Sequence, residues 1–166
     1  MKRPDFILIG ALLVIGLALL LGFKWAERSQ STGAVFARVF YRDELILMID
    51  LDNLTYHLYD TPYQNQIDVS RHDEGIFYVP GTTTTQMAAL YAVDDYAREQ
   101  EIVGIKLQVS DGKIRVLYQE SPRDYCELQR PTNSSLEPLV CLPNELMVTI
   151  MTNLSPDDFV PDGVLE

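Results

Sequence analysis

The residues with the most reactive chemistry in this chain are its two cysteines, Cys126 and Cys141. They bracket a segment, ELQRPTNSSLEPLV, that is rich in proline, asparagine and serine. Two cysteines around such a loop are typical of a disulfide in an oxidising compartment, where closing a loop of ~15 residues stabilises a fold by about 3 kcal/mol. Redox pairs usually have the spacing C-x-x-C at a helix start, which favours a structural disulfide here. A reactive thiol pair and two unpaired buried thiols remain the alternatives.

A turn motif follows the second cysteine directly. Leu142, Pro143 and Asn144 precede Glu145, which puts proline and asparagine at the second and third positions of a four-residue turn. These residue types fit a type I or type II turn. Residues 146–150 then alternate in the manner of a strand, so we expect Cys141 to close one strand of a hairpin.

Other polar clusters give weaker signals for chemistry. Residues 50–53, DLDN, hint at a calcium loop, but Thr55 and Thr61 occupy the positions where an EF-hand needs glycine and glutamate. Residues 71–74, RHDE, are predicted to form a solvated polar loop rather than an oriented base. Two cysteines and two histidines spread along the chain make a poor zinc site. We therefore expect no catalytic residue, no metal site and no cofactor.

The clearest local element is a hairpin over residues 105–118, IKLQVSDGKIRVLY. Asp111 and Gly112 form the pair that favours a two-residue type I′ turn, because both central residues need a positive φ angle. This turn predicts three facing pairs with all six side chains on one face. The pairs are Val109 with Ile114, Leu107 with Val116, and Ile105 with Tyr118.

The remaining pattern predicts a mainly β fold with one short inserted helix. Residues 34–51 form a hairpin pattern broken at Arg42 and Asp43, a further short strand is expected at 55–59, and residues 76–79 form a short apolar string. Residues 86–100 carry apolar side chains at helical spacing. We expect one face of a single amphipathic helix to contain Met87, Leu90, Tyr91 and Ala97.

Residues 6–23, FILIGALLVIGLALLLGF, form an uncharged run at the N-terminus. As a helix this run is about 27 Å long, close to the thickness of a bilayer's hydrocarbon core, and it lacks the features of a cleaved signal. Flanking charges favour a cytoplasmic N-terminus and an extracytoplasmic domain. We expect this division of the chain: a signal anchor or transmembrane helix at 1–28, a linker at 29–33, an extracytoplasmic β domain at 34–154, and a mobile acidic tail at 155–166.

Charge excludes some partners. Beyond residue 30 the chain has 9 Lys and Arg against 22 Asp and Glu, which gives a net charge of −13. Nucleic-acid binding depends on clustered cations that release counterions from phosphates, so this domain is not expected to bind nucleic acid.

Two segments of the sequence carry a resemblance to a known family. IKLQVSDGKIRVLYQESPRDYC followed by LVCLPNELMVTI, together with the N-terminal anchor, resembles the NusG domain II family in its standalone, membrane-anchored form. The chain departs from that family where Ser121 replaces its first cysteine, Arg123 replaces an aspartate, and Arg130-Pro131 replaces Gly-Trp.

The resemblance implies a small β-barrel or sandwich outside the membrane, without an assigned biochemical role. Our first hypothesis is a non-enzymatic binding or accessory module for an envelope or membrane protein partner, anchored in the lipid bilayer through residues 6–23. The alternative hypothesis is a thiol-redox or electron-transfer accessory protein that uses Cys126 and Cys141.

Overall fold

The computed structural model describes residues 3–30, 33–82, 84, 87–121 and 125–152. The chain divides into two compact units, Met1–Thr32 and Gly33–Glu166. The tail expected at 155–166 lies outside the described residues, as do two positions of the expected linker.

The first unit contains one helix, α1 (Arg3–Gln30). Its described side chains between residues 9 and 23 are exposed. Among the described residues, no helix combines the length and the apolar content that a membrane crossing requires.

The second unit is mainly β and contains two antiparallel sheets. The larger sheet has five strands: β1 (Val35–Tyr41), β2 (Glu44–Asp50), β3 (Tyr56–Leu58), β7 (Leu139–Cys141) and β8 (Leu146–Thr152). Their order is β3-β2-β1-β8-β7, so the first and last strands of the domain pair at its centre. β7 is consequently one edge of this sheet.

The smaller sheet has three strands and carries the helices of the second unit. Its strands are β4 (Ile76–Val79), β5 (Ile105–Ser110) and β6 (Lys113–Tyr118), in the order β4-β5-β6. Two short helices, α2 (Ala88–Val93) and α3 (Asp95–Glu99), lie between β4 and β5 in the chain.

Both sheets contribute side chains to one hydrophobic core, which includes the two cysteines. The expectation of a barrel was wrong, since the strands form two separate sheets and no ladder joins them in the part of the chain that is described. Each sheet keeps two edge strands. Core residues from the two sheets include Val39, Leu47 and Ile49 on one side, and Phe77, Leu107 and Val116 on the other.

The hairpin between β5 and β6 follows the expected register only near its turn. Asp111 and Gly112 occupy the turn with φ angles of 52° and 65°, and Val109 faces Ile114 while Leu107 faces Val116. The third pair was wrong, because a bulge places Tyr118 opposite Lys106 instead of Ile105. A bulge shifts the alternation of the strand, and Tyr118 packs against the cluster under the helices rather than the main core.

The expected single helix is two helices. Asp94 interrupts them with an extended backbone, φ −138° and ψ 94°, and its side chain accepts a hydrogen bond from the backbone N–H of Ala97 at 3.2 Å. An aspartate that caps a helix in this way starts a new helix and ends the previous one. The face predicted from spacing is nevertheless the buried one, since all four of its residues belong to one cluster with Ile76 and Tyr78: Met87, Leu90, Tyr91 and Ala97.

Candidate functional site

Cys126 and Cys141 form a disulfide, as the sequence predicted. Their Cα atoms are 5.3 Å apart, and each residue is only 1% exposed. The bond ties the last residue of β7 to the start of the loop that leads back to it. Among the described residues, no group of histidine, cysteine and acidic side chains is arranged to hold a metal ion.

Two buried amides lie against the disulfide. Asn144 is fully buried, and its Nδ2 donates to Oε1 of Gln119 at 2.7 Å and to the backbone oxygen of Glu120 at 3.0 Å. Oε1 of Gln119 is 3.7 Å from Sγ of Cys141, and Nε2 of Gln119 donates to Oγ of Ser121 at 2.7 Å. Hydrogen-bonded amides therefore pack against the disulfide.

The turn motif after Cys141 points its residues in opposite directions. Leu142–Asn144 is a short 3₁₀ helix, closed by a hydrogen bond from the backbone N–H of Glu145 to the oxygen of Leu142 at 3.1 Å. Leu142 is 80% exposed, whereas Asn144 is fully buried. The sequence predicted a turn here but gave no indication that its asparagine reaches the buried glutamine.

Opposite the core, the five-stranded sheet has an apolar depression of about 530 Å³, which we call the outer groove. Its apolar surface comes from Phe40, Val140, Leu142 and Met147. Met147 faces both Phe40 and Val140 across the sheet, which places the three side chains together on the face opposite the disulfide. Three of these four residues are more than a third exposed, so the groove is an open apolar surface.

The rim of the outer groove is charged. Arg42 donates from Nε to Oε2 of Glu145 at 2.6 Å, and their backbones are also hydrogen-bonded. The hydrogen bond to Glu145 raises the pKa of Arg42 above its usual value. Asp43 lies beside this pair, and both turn residues of the β1–β2 hairpin have positive φ angles. The rim thus contains one cation and two anions.

The edge of β7 borders the outer groove, and among the described residues the side chain of Gln129 covers it. Nε2 of Gln129 donates to the backbone oxygen of Val140 at 2.8 Å, while its Oε1 accepts from the backbone N–H of Val140 at 3.0 Å. The amide of Gln129 thereby makes the two hydrogen bonds that a neighbouring strand would make.

The family model for NusG domain II matches residues 8–153. The chain belongs to the NusG domain II family. No curated protein and no solved structure matches the chain.

This NusG domain II protein has a second polar cluster, which is charged and lies under α2 and α3. Asp94 is at its centre and receives hydrogen bonds from Nζ of Lys106 at 2.5 Å, from the hydroxyl of Tyr78 at 2.7 Å, and from Arg71 at 3.3 Å. The side chain of Asp94 is 2% exposed and that of Lys106 is 12% exposed. The cluster links the start of α3 to β4 and β5.

The pKa values in this cluster are shifted. Burial raises the pKa of Asp94, but the hydrogen bonds from Lys106, Tyr78 and the backbone of Ala97 outweigh it, so the pKa lies below its ordinary value. Burial, together with the hydrogen bond to Asp94, raises the pKa of Tyr78. Since each charge has a partner, we interpret the cluster as structural.

The interpretation of residues 71–74 as a solvated loop was wrong for Arg71. Its guanidinium is hydrogen-bonded to Glu74, Tyr78 and Asp94, and it lies 5.4 Å from the ring centre of Tyr96. The hydrogen bond to Glu74 is the largest cause of its raised pKa. Aspartate is a residue type that favours helix caps, so Asp94 could have indicated the start of α3, but no local pattern connects it to an arginine twenty-three positions earlier.

The predicted site residues thus separate into two places. Cys126, Cys141 and the turn motif come together at the end of β7, where Leu142 of the motif lines the outer groove. Asp111 and Gly112 belong to the other sheet, where Gly112 lies close to the side chain of Asp52. The residues that hinted at a calcium loop, 50–53, form a turn in which Oδ1 of Asp50 accepts the backbone N–H of Asp52 at 2.8 Å and of Asn53 at 3.0 Å.

Proposed function

We propose that this NusG domain II protein is a membrane-anchored, extracytoplasmic accessory module. It binds a membrane or envelope protein through the outer groove and does not act as an enzyme. The observation that carries this proposal is the open apolar surface formed by Val140, Leu142 and Met147 on the outer face of the sheet. Contiguous exposed apolar surface of this kind marks interaction sites in folded proteins.

The anchor is supported by the uncharged run at 6–23, which belongs to α1. Eighteen apolar or small residues match the thickness of the hydrocarbon core. Trp25 follows the run and is 76% exposed, a position suited to the headgroup level. The side chains described within this run are those of residues 9–23.

Membrane insertion is tested by alkaline carbonate extraction. We expect the chain to stay in the membrane pellet, and a variant with Leu13→Lys and Leu17→Lys to be extracted, because charges in the centre of a span are costly. The matched control, Leu13→Ile with Leu17→Ile, should stay in the pellet. Extraction of the unaltered chain would contradict the anchor.

An extracytoplasmic location is supported by the disulfide, since such bonds persist in oxidising compartments. Protease added to sealed cells or vesicles of known orientation should digest the second unit while α1 stays protected. Digestion of the second unit only after the membrane has been permeabilised would place the domain on the cytoplasmic side.

A protein partner is favoured by charge. The domain's net charge of −13 repels nucleic acid and anionic lipid surfaces alike. The outer groove itself has two carboxylates on its rim against one arginine, and that arginine is already paired. The partner chemistry that fits is an apolar segment flanked by basic residues.

Site-specific photo-crosslinking in native membranes tests the groove. A photoreactive amino acid in place of Met147 should give a discrete adduct, and Leu142→Asp should abolish it, because a charge in the groove opposes an apolar ligand. Leu142→Met keeps the surface apolar and should leave the adduct unchanged.

The control position for crosslinking is Gln66, which is exposed in a different part of the domain. Equal adducts from positions 147 and 66, or an adduct that survives Leu142→Asp, would show that the groove is not the binding surface.

Burial of the disulfide favours a structural role over the redox alternative. Each cysteine is 1% exposed, and thiol exchange needs an attacking thiolate to reach a sulfur in line with the bond. We expect a reduction potential below about −300 mV, as for structural disulfides. A value near about −270 mV or higher would support the redox alternative instead.

A further inference from the structure

Val140 lies on β7, one of the two edge strands of the five-stranded sheet. β7 has three residues, and Leu139 and Cys141 face β8 partners on either side of it. Backbone groups of successive residues in an antiparallel strand point to opposite sides. Because the N–H and C=O of Val140 bond to Gln129, they point away from β8 toward the place of the next strand.

Gln129 occupies that place with a group that resembles a peptide bond. A carboxamide has one carbonyl acceptor and an N–H donor, so it satisfies both backbone groups of Val140 at once. Edge strands are commonly covered in folded proteins, because uncovered ones pair with other chains. In the part of the chain that the structure describes, this cover is the half-buried side chain of Gln129 rather than a helix or a strand.

If a peptide group of another segment displaced the side chain of Gln129, the two hydrogen bonds to the backbone of Val140 would be kept. An extended segment that pairs with Val140 would supply the same donor and acceptor. Its alternate side chains would also lie on the face that holds Val140 and Met147, which are 38% and 37% exposed. Burial of these apolar groups adds a favourable contribution that the side chain of Gln129 does not make.

We propose that β7 is a strand-docking edge closed by Gln129, and that an extended segment of the partner protein pairs with Val140 in its place. This proposal rests on the function proposed above and names the way in which the partner binds. Main-chain pairing would give affinity, while apolar side chains in the outer groove would give specificity.

Charge distinguishes three segments that could pair with this edge: a second copy of the chain, the chain's own C-terminal residues, and a segment of another protein. A second copy of the chain would bring another domain of net charge −13 to a three-residue strand. The chain's own residues 155–166 have four acidic side chains. Neither complements a rim that contains Asp43 and Glu145, whereas an apolar strand with basic ends does.

The probe for this edge is a short synthetic peptide with alternating valine and threonine and a lysine at each end. Its binding to the full chain in nanodiscs is measured by fluorescence anisotropy. We expect Gln129→Ala to bind it about tenfold more tightly than the unaltered chain, because two competing hydrogen bonds are gone. The same peptide with N-methylated backbone amides should not bind, and Gln66→Ala should behave as the unaltered chain.

Amide hydrogen exchange at Val140 gives a readout of the edge itself. Exchange should be slow in the unaltered chain, faster in Gln129→Ala, and slow again when the peptide is added. A peptide that fails to bind Gln129→Ala, or that binds equally after N-methylation, would overturn strand docking. Self-association of Gln129→Ala in place of peptide binding would overturn the partner class and identify a second copy as the occupant.

Failure here is distinguishable from failure of the proposed function. An adduct from position 147 that depends on Leu142, without peptide pairing at Val140, would leave the outer groove as a binding surface and reject only the strand mechanism. Absence of both would reject the two proposals together.

Discussion

Beside the disulfide, the neutral amide of Asn144 donates to that of Gln119, whereas under α2 and α3 Asp94 is matched by the cations Lys106 and Arg71. Both clusters are buried and both join distant parts of the chain. Amide hydrogen bonds are unaffected by moderate acid and salt, but ion pairs depend on protonation. The region next to the candidate binding surface is therefore expected to be the less sensitive of the two to conditions.

Of the changes considered, loss of the disulfide next to the neutral cluster should lower the free energy of unfolding most. Cys126→Ala with Cys141→Ala should lower the free energy of unfolding by about 3 kcal/mol, through the greater entropy of the unfolded chain. Urea unfolding followed by circular dichroism measures it. A reductant should bring the unaltered chain to the stability of the variant without changing the variant further, and equal stability without reductant would contradict a structural role.

Removal of the charge of Asp94, at the centre of the other cluster, should have the second largest effect on stability. Asp94→Asn leaves Lys106, with a 12% exposed side chain, without its closest anionic partner. Breaking a fully buried pair costs about 3–5 kcal/mol, and the partial exposure here reduces the expected loss to about 2–3 kcal/mol. Urea unfolding measures the change.

The matched control is its neighbour. Asp95→Asn removes an exposed partner of Arg98, with side-chain exposures of 79% and 57%, and should leave the unfolding midpoint unchanged. Equal effects at positions 94 and 95 would show that the buried location of Asp94 contributes nothing.

Removal of one amide from the neutral cluster should also lower the free energy of unfolding. Asn144→Ala removes the donor to Gln119 and Glu120 and should cost about 2 kcal/mol, since it leaves buried acceptors with fewer partners. Asn133→Ala, at an exposed asparagine, is the control. The loss at Asn144 should be the same at neutral and mildly acidic pH; a loss that varies with pH would contradict the proposed contrast.

Lowering the pH should weaken the cluster around Asp94 but not the amide cluster, with a smaller effect on the free energy of unfolding than the substitutions above. Because the folded-state pKa of Asp94 lies below its ordinary value, the unfolded chain takes up the proton at a higher pH than the folded one. The stability that Asp94 contributes is therefore present above about pH 4 and is lost as pH falls through the folded pKa.

The measurement is the stability difference between the unaltered chain and Asp94→Asn as pH is lowered. It should be constant near neutrality and shrink below about pH 4. A difference that stays constant throughout would mean that the charge of Asp94 is not what stabilises the cluster.

The smallest effect is expected at the rim of the outer groove. Arg42→Gln breaks an ion pair whose side chains are 46% and 49% exposed, and solvent screens such pairs. We expect no measurable change in the unfolding midpoint. A clear fall in the unfolding midpoint would show that this exposed ion pair stabilises the fold as much as the buried one does.

Local sequence accounts well for the strands and turns. Residues 34–51 were predicted as a hairpin and form β1 and β2, and the two register pairs nearest Asp111 and Gly112 follow from turn geometry alone. Prediction failed where packing overrides local pattern. The bulge is accompanied by packing of Tyr118 against the cluster that contains Leu90 and Ala97 of the helices, which are more than twenty positions away in the chain.

The candidate site shows the same division. Cysteine pairing could be inferred from type, number and spacing, because few other arrangements suit two cysteines around a loop. Gln119 and Gln129 gave no signal, since glutamine in loops is usually solvated, and Asn144 was predicted only as a turn residue. Their roles come from contacts across eleven to twenty-five positions of the chain.

By itself, the sequence determined the uncharged N-terminal run, the β-rich pattern, the turn positions, the disulfide pair and the family. Each of these depends on residue type or on spacing within a short segment, where steric limits and hydrophobic alternation act directly. Only the tertiary structure decided that β7 is an edge, that Gln129 covers it, and that Met147 and Val140 share an open face. Strand order brings these residues together, and strand order is set by the packing of the whole core rather than by any local pattern.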